Sequence, residues 1–360
     1  MTTKLRIALD YRPALLGRSG VPRAARELSQ ALAADERIEC RNFAHSFGWA
    51  RVSPPNGTRL RRLPIPGRSL RHLSRLGLTA ERLVGGADVV HWTDFVLPPT
   101  AASTPVVFTA HDLAAFEDPS YHGRGSQALI ERTRFAAERA QRVVTPTETI
   151  ARAVTEHLGL PPERVTSIPW GLNHDGCWPK KPESGGSHLL CVGTIEPRKN
   201  HLAILRAWRQ LGEDRPKLLV LGKLGWEAER IATALEAAAD DGSLKWRRDA
   251  SDHELETAFG DALGLVYLSS YEGFGFPPLE ALARGLPTLV GDAESCREST
   301  LGLATSCNPQ DDESVLEGLR TLLEAPRTDE AIARRVQHAR GFTWSNCASR
   351  YADVYREVAG

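Results

Sequence analysis

Short apolar runs alternate along the chain with stretches in which apolar residues recur every three or four positions. Arg6–Asp10, Asp88–His91, Val106–Thr109, Arg142–Thr145 and Arg164–Ile168 predict strands; Arg23–Ala34, Gln127–Ala140 and Ile150–Leu158 predict helices. Periodicity stops between Gly171 and Gly186, where Asn-His-Asp-Gly and Pro-Lys-Lys-Pro-Glu-Ser-Gly-Gly mark a linker. The alternation then resumes: strands at Leu189–Val192, Lys217–Leu221, Gly264–Leu268 and Thr288–Val290, helices at His201–Leu211, Trp226–Ala239 and Leu279–Arg284. Trp344–Val358 reads as one more helix. Strand and helix in strict alternation predict an α/β chain with parallel sheets covered on both faces. The expected divisions are 1–170, a linker at 171–186, 187–343, and a closing helix within 344–360.

Composition narrows the class. A chain of 360 residues suits two domains of roughly 100–200 residues each. No apolar run approaches the roughly 18–20 residues that span a bilayer, and Met-Thr-Thr-Lys-Leu-Arg-Ile-Ala-Leu-Asp lacks a signal peptide's apolar centre. The six cysteines (Cys40, Cys177, Cys191, Cys296, Cys307, Cys347) are scattered without a Cys-x-x-Cys pair. That spacing fits buried thiols in a reducing cytoplasm better than a disulfide framework or a zinc site.

The net charge of zero hides an asymmetry, because residues 1–90 carry 16 Lys/Arg against 7 Asp/Glu. No acid lies between Arg41 and Glu81, and leucines interleave with Arg51, Arg59, Arg61, Arg62, Arg68, Arg71 and Arg75. Two readings stay open. The segment faces anionic lipid headgroups or a phosphate-bearing acceptor, or it is a solvated loop and an amphipathic helix packed on its own domain.

The densest chemistry lies at Tyr271-Glu272-Gly-Phe-Gly-Phe-Pro-Pro-Leu-Glu280, between an apolar strand and a helix opening at Pro277 or Pro278. A strand, a glycine-rich loop and a helix start present backbone N–H groups and a dipole to an anion. Glu272 on the loop and Glu280, expected in the first helical turn, add acceptors for hydroxyl groups. Phosphate beside two such carboxylates suits a nucleotide sugar, and suits a bare triphosphate poorly. A second cluster, Arg198-Lys199-Asn200, follows strand Leu189–Val192 and precedes a helix that Asn200 can cap. Cations at a helix start oppose its dipole, a cost that points to an anionic ligand. The chain has no Asp-x-Asp pair suited to hold a metal over a diphosphate, and no Gly-x-x-x-x-Gly-Lys-Ser/Thr. Asp311-Asp312-Glu313 reads as a solvated turn.

Glu272-x7-Glu280 within Glu-Gly-Phe-Gly-Phe-Pro-Pro-Leu-Glu-Ala resembles the signature of retaining glycosyltransferase family 4, of the two-domain GT-B fold. Val192-Gly-Thr-Ile-Glu-Pro-Arg-Lys-Asn-His, Val89-Val-His-Trp-Thr-Asp-Phe-Val-Leu-Pro, Phe108-Thr-Ala-His-Asp-Leu and Val143-Val-Thr-Pro-Thr-Glu resemble the family's other landmarks, in order. The resemblance runs through nearly the whole chain and is nearest to bacterial mannosyl- and rhamnosyltransferases of surface polysaccharides. It implies two Rossmann-like domains facing a central cleft, with a last helix returning to the first domain. It also implies a nucleotide-sugar donor, with GDP-mannose the expected one, and a glycan or lipid-linked acceptor. No nucleic acid, cofactor or metal is implied, and the expected location is the cytoplasm, with the inner face of the cytoplasmic membrane as the alternative.

By the same resemblance, Arg198 and Lys199 hold the diphosphate. Glu272 lies near the sugar hydroxyls, with His111 contacting the sugar or reacting centre from the first domain. Glu280 accepts from the ribose, while Thr194, Gly273, Phe274, Gly275 and Phe276 line the donor site and Gly20 approaches the donor phosphate and acceptor. One departure from the family pattern is Thr194, which stands after Gly193 where an arginine is usual, so that Arg198 supplies the second cation. Competing readings are another GT-B enzyme, such as a sugar-nucleotide epimerase or a soluble disaccharide synthase, and a non-catalytic glycan- or partner-binding protein.

Overall fold

The computed structural model describes residues 3–17, 20–45, 59–63, 77–121, 125–172 and 186–360. The chain forms two compact units, Met1–Gly171 with Phe342–Gly360, and Leu172–Gly341.

Unit 1 is built on a seven-stranded sheet of order β3-β2-β1-β4-β5-β6-β7. The strands are β1 (Leu5–Asp10), β2 (Ile38–His45), β3 (Leu60–Leu63), β4 (Val89–Trp92), β5 (Val106–Thr109), β6 (Arg142–Thr145) and β7 (Val165–Ser167). Every neighbouring pair is parallel. β4 and β5 are buried along their whole length, and strands buried on both faces read as continuous apolar runs. β2 and β3 were not anticipated. β2 runs Ile-Glu-Cys-Arg-Asn-Phe-Ala-His, with Glu39 exposed and Asn42 fully buried, so its polar residues break the pattern on both faces. β3 is the edge strand Leu-Arg-Arg-Leu.

Unit 1 is completed by the C-terminal helix Trp344–Ala359, whose start is capped by Thr343 accepting from the Asn346 N–H at 3.1 Å. Its inner face buries Trp344, Cys347, Ala348, Tyr351, Ala352, Val354 and Tyr355. Two tyrosines reach polar groups inside the sheet. The Tyr355 hydroxyl is 2.7 Å from His91 Nδ1, His91 Nε2 is 2.8 Å from Thr109 Oγ1, and that oxygen is 3.0 Å from the Tyr351 hydroxyl. At the periphery Arg37 binds Asp353 and Ser349, Arg142 binds Glu357, and Arg350 donates to the Ser167 carbonyl. Gly171 lies so close to this helix start that a Cβ there would stand 2.2 Å from the Trp344 nitrogen.

Unit 2 carries a six-stranded parallel sheet of order β10-β9-β8-β11-β12-β13. Its strands are β8 (His188–Val192), β9 (Lys217–Leu221), β10 (Leu244–Arg247), β11 (Ala262–Tyr267), β12 (Thr288–Val290) and β13 (Thr305–Ser306). Leu189 and Cys191 of β8 pack into one apolar cluster and Leu190 into another, so helices cover both faces. Asp311-Asp312-Glu313 is a helix start rather than a turn. Asp311 caps the helix Asp312–Glu324 by accepting from the Glu313 N–H at 3.1 Å, and the acids favour the positive end of its dipole.

Candidate functional site

In unit 2 the site residues gather where β8 and β11 end. After β8, the Gly193–Glu196 turn zips to the loop after β9: Gly193 donates to the Leu221 carbonyl, Ile195 to Lys223, and Gly225 to Ile195. Gly222 has to be glycine here, since a Cβ would stand 1.8 Å from the Gly193 carbonyl oxygen. A short turn, Pro197–Lys199, then delivers the two cations, and Asn200 follows in the left-handed region at φ 53°. Asn200 does not cap the helix His201–Gln210 with its side chain. Its amide donates to the Leu268 carbonyl at 2.8 Å, to Ser270 Oγ at 2.8 Å and to the Arg198 carbonyl at 3.2 Å. The cation turn is thereby fastened to the segment that follows β11.

That segment brings Glu272 onto both cations. Its Oε1 accepts from Arg198 Nη1 at 2.6 Å, from Ser269 Oγ at 2.6 Å, and from Lys199 Nζ. Ser295 Oγ donates to the Glu272 carbonyl at 2.5 Å and holds the loop backbone. Lys199 also donates to the Tyr267 hydroxyl at 2.6 Å, and Arg198 Nε lies 2.6 Å from Glu196 Oε1. Burial by itself would raise the Glu272 carboxyl, but Lys199 and Arg198, with the hydrogen bonds from Lys199 and Ser269, outweigh it and hold it at about 2. Burial pushes the Lys199 ammonium down, against the opposing pull of Glu272. Two cations and two carboxylates thus balance within one small cluster. Among these, Glu196, Tyr267, Ser269 and Ser295 were not anticipated. Ser269 and Tyr267 stand three and five residues before Glu272, inside what reads as an ordinary apolar strand and its end.

One expectation changes. The helix opens at Phe276 and runs to Ala283, so Glu280 lies in its second turn and no acid occupies the first. Stabilisation of a helix start therefore does not account for Glu280. Phe274 and Phe276 are buried and meet edge to face, with ring centroids 5.2 Å apart. Gly275 lies at φ 85°, and a Cβ there would meet Cys296 Sγ at 2.8 Å, which fixes the loop over that thiol. Thr194 is half-buried, its methyl 2.7 Å from where a Gly225 Cβ would stand.

In unit 1, His111 is buried two residues beyond β5. Its Nε2 is 2.6 Å from the Thr93 carbonyl, which can only accept, so Nε2 carries the proton. Nδ1 is left as a buried acceptor with no partner among the described residues. Burial lowers the imidazole's proton affinity, although Thr93, Asp94 and Asp112 favour the cation. Asp112 orients the loop by accepting from the Ala114 N–H at 3.0 Å. Gly20 precedes the first helix, Val21–Ala34, at φ 62°. Arg59 and Arg61 are exposed at the edge strand and Arg62 is half-buried; Arg68, Arg71 and Arg75 lie outside the described residues.

The carboxyl edge of this sheet also holds an ion cluster that was not anticipated. Arg12 Nη2 is 2.5 Å from Asp94 Oδ2, and the buried Asp10 accepts from the Arg12 N–H at 3.0 Å. Burial raises the Asp10 carboxyl to about 7, against the pull of Arg12. A carboxyl raised above its unfolded value stabilises the fold below that unfolded value, and the contribution is lost as pH climbs through the folded one. The stability advantage of Asp10→Asn over the parent should therefore grow between about pH 4 and pH 7 and stay level above. Denaturant unfolding of both proteins across that range checks this; a constant difference would contradict it.

Residues 18–175 match Glycosyltransferase Family 4, and residues 179–339 match Glycosyl transferases group 1. The chain is 25% identical over 283 residues to O-antigen chain mannosyltransferase B of Escherichia coli, covering 74% of each. It is 24% identical over 268 residues to O-antigen chain mannosyltransferase RfbU of Salmonella typhimurium, covering 73% of this chain and 71% of that one. Sucrose-phosphate synthase from Thermosynechococcus elongatus shares the fold, with a TM-score of 0.79 at 16% identity over 98% of this chain and 99% of the other. The two matched stretches together run through both units, and the chain belongs to the family 4 glycosyltransferases of GT-B fold.

Proposed function

We propose that the protein transfers mannose from GDP-mannose, with retention, to a glycan or lipid-linked glycan during surface polysaccharide synthesis. The observation that carries this reading is Glu272 held on Arg198 and Lys199 where β8 and β11 end. Open parallel sheets bind ligands outside the carboxyl ends of their strands. A diphosphate leaving group gains negative charge as the glycosidic bond breaks, and two fixed cations stabilise that state more than the ground state. Glu272 has one oxygen committed to protein donors; the other is assigned here to a hydroxyl of the transferred sugar, with Glu280 on the nucleotide ribose. The names of the relatives, O-antigen mannosyltransferases, support mannose as the sugar. In this reading side-chain cations serve where other transferases use a divalent ion, so no metal is required.

The test is a panel of sugar nucleotides scored first by the shift in melting temperature. A ligand at one hundred times its Kd stabilises the folded protein by about 2.7 kcal/mol. GDP-mannose should give the largest shift, undiminished by EDTA, and should support transfer to a lipid-linked acceptor. A larger shift with a uridine or adenosine sugar nucleotide would replace the donor. Loss of turnover in EDTA, restored by magnesium or manganese, would overturn the metal-free account. Absence of any shift would favour the non-catalytic reading.

A further inference from the structure

The Lys199 ammonium is buried, and its position depends on a residue from another part of the fold. Tyr267, the last residue of β11, is itself buried, and its hydroxyl lies 2.6 Å from Lys199 Nζ. An ammonium can only donate, so the phenol oxygen accepts. The ammonium sits at the hydroxyl end of the ring, with Nζ 4.5 Å from the centroid. Glu272 accepts from the same ammonium, so the phenol and the carboxylate hold it together. Gly193 lies beside this pair: a Cβ there would be 3.8 Å from the Tyr267 ring and 3.9 Å from Lys199 Cε.

We propose that Tyr267 is a positioning residue for sugar transfer, acting through Lys199, whose ammonium it holds charged and aimed. The proposal rests on the reading of Arg198 and Lys199 as the diphosphate-binding cations. Lys199 has three N–H donors; Tyr267 and Glu272 take two, leaving one for a ligand. Without the phenol oxygen the ammonium would lose a fixed acceptor in a site where burial already disfavours its charge. The other titratable groups around it are Glu272 beyond β11, Arg198 and Glu196 on its own turn, His201 at the next helix and Cys296. Of these only Glu272 is hydrogen-bonded to the ammonium, and it already takes a different N–H from the one the phenol accepts.

Tyr267→Phe keeps the ring and removes the oxygen. In the free protein carrying ¹³C-labelled lysine, the Lys199 Cε signal, assigned by its loss in Lys199→Arg, should titrate at lower pH in Tyr267→Phe. The expected loss of proton affinity is about tenfold, since a hydrogen bond to a charged group is being removed. With the donor that the panel selects, kcat should fall roughly tenfold with KM nearly unchanged, and the alkaline limb of the rate should move to lower pH. In a Lys199→Ala background the same change should cost less than about twofold, as expected for two residues acting as one. An unaltered Lys199 titration, or full additivity in that cycle, would overturn the proposal. If Tyr267→Phe fails to fold, 3-fluorotyrosine at position 267, a weaker acceptor of the same shape, should lower the Lys199 titration in the same direction. The titration needs no donor, so a protein that transfers no sugar would sink the functional reading, while the titration still decides whether Tyr267 holds the Lys199 ammonium charged.

Discussion

Lys199→Ala and Glu272→Ala should each lower sugar transfer by about 10² to 10³, the usual cost of removing one charge contact to a transition state. The two variants should differ in stability. Lys199→Ala removes a buried cation and leaves Glu272 paired with Arg198. Glu272→Ala leaves Lys199 buried without a carboxylate partner, and breaking a buried pair this way costs about 3–5 kcal/mol. Glu272→Gln, which keeps the shape and an acceptor oxygen, separates the loss of charge from the loss of fold. Initial rates with the selected donor, read beside circular dichroism, test all three. Near-normal turnover in a folded Lys199→Ala or Glu272→Gln would remove these residues from the reaction. Because the cations hold the Glu272 carboxyl at about 2, well below its unfolded value, its stabilising contribution is complete above about pH 4 and lost as pH falls toward 2. Its protonation should put no acid limb on the rate above that point.

Deleting Phe342–Gly360 should abolish the cooperative fold of unit 1 and leave unit 2 standing. The deleted helix buries Trp344, Tyr351, Val354 and Tyr355 against the sheet. A buried side chain of that size contributes about 1.5–3 kcal/mol, and a whole domain is stable by only about 5–15 kcal/mol. Deletion also strips His91 and Thr109 of the tyrosine hydroxyls that serve them inside the sheet. Hydrogen exchange should show β1, β4 and β5 losing protection while β8, β11 and β12 keep theirs. Retained protection in β4 and β5 would show that the sheet stands without this helix. Gly171→Val should weaken the same docking with no deletion, by crowding the backbone at Trp344.

The parts of the fold legible in the sequence are those where burial is one-sided in meaning. β5 and β12 are buried throughout, with one threonine each, and lie where their runs predict. β2 was hidden because Glu39 and Arg41 point outward at one end, while Asn42 is buried, its side-chain oxygen accepting from Ser29 Oγ. β10 was hidden because Leu-Lys-Trp-Arg is short and sits at the sheet edge. In the site, glutamates and cations stand out because charge at a strand end has no packing use. Tyr267 and Ser269 do not, because a tyrosine and a serine near an apolar strand carry no mark of what they touch. The placement of Glu280 depended on where the helix begins. Two prolines suggested a start at Pro277 or Pro278, but Gly275 at φ 85° takes the cap and Phe276 is the first helical residue.

Unit 1 takes its first strand from residue 5 and its closing helix from residue 344 onward, with all of unit 2 between. On the ribosome this inverts the usual order. The nascent chain presents β1 to β7 first, yet the hydroxyls of Tyr351 and Tyr355 that satisfy Thr109 and His91 emerge only after unit 2 has been made. At about 5–20 residues per second, the gap between β7 and those tyrosines is on the order of ten to forty seconds. Through that interval the apolar face that awaits Trp344 and Tyr355 is open to chaperones, whereas unit 2 can fold as soon as its own last helix is out.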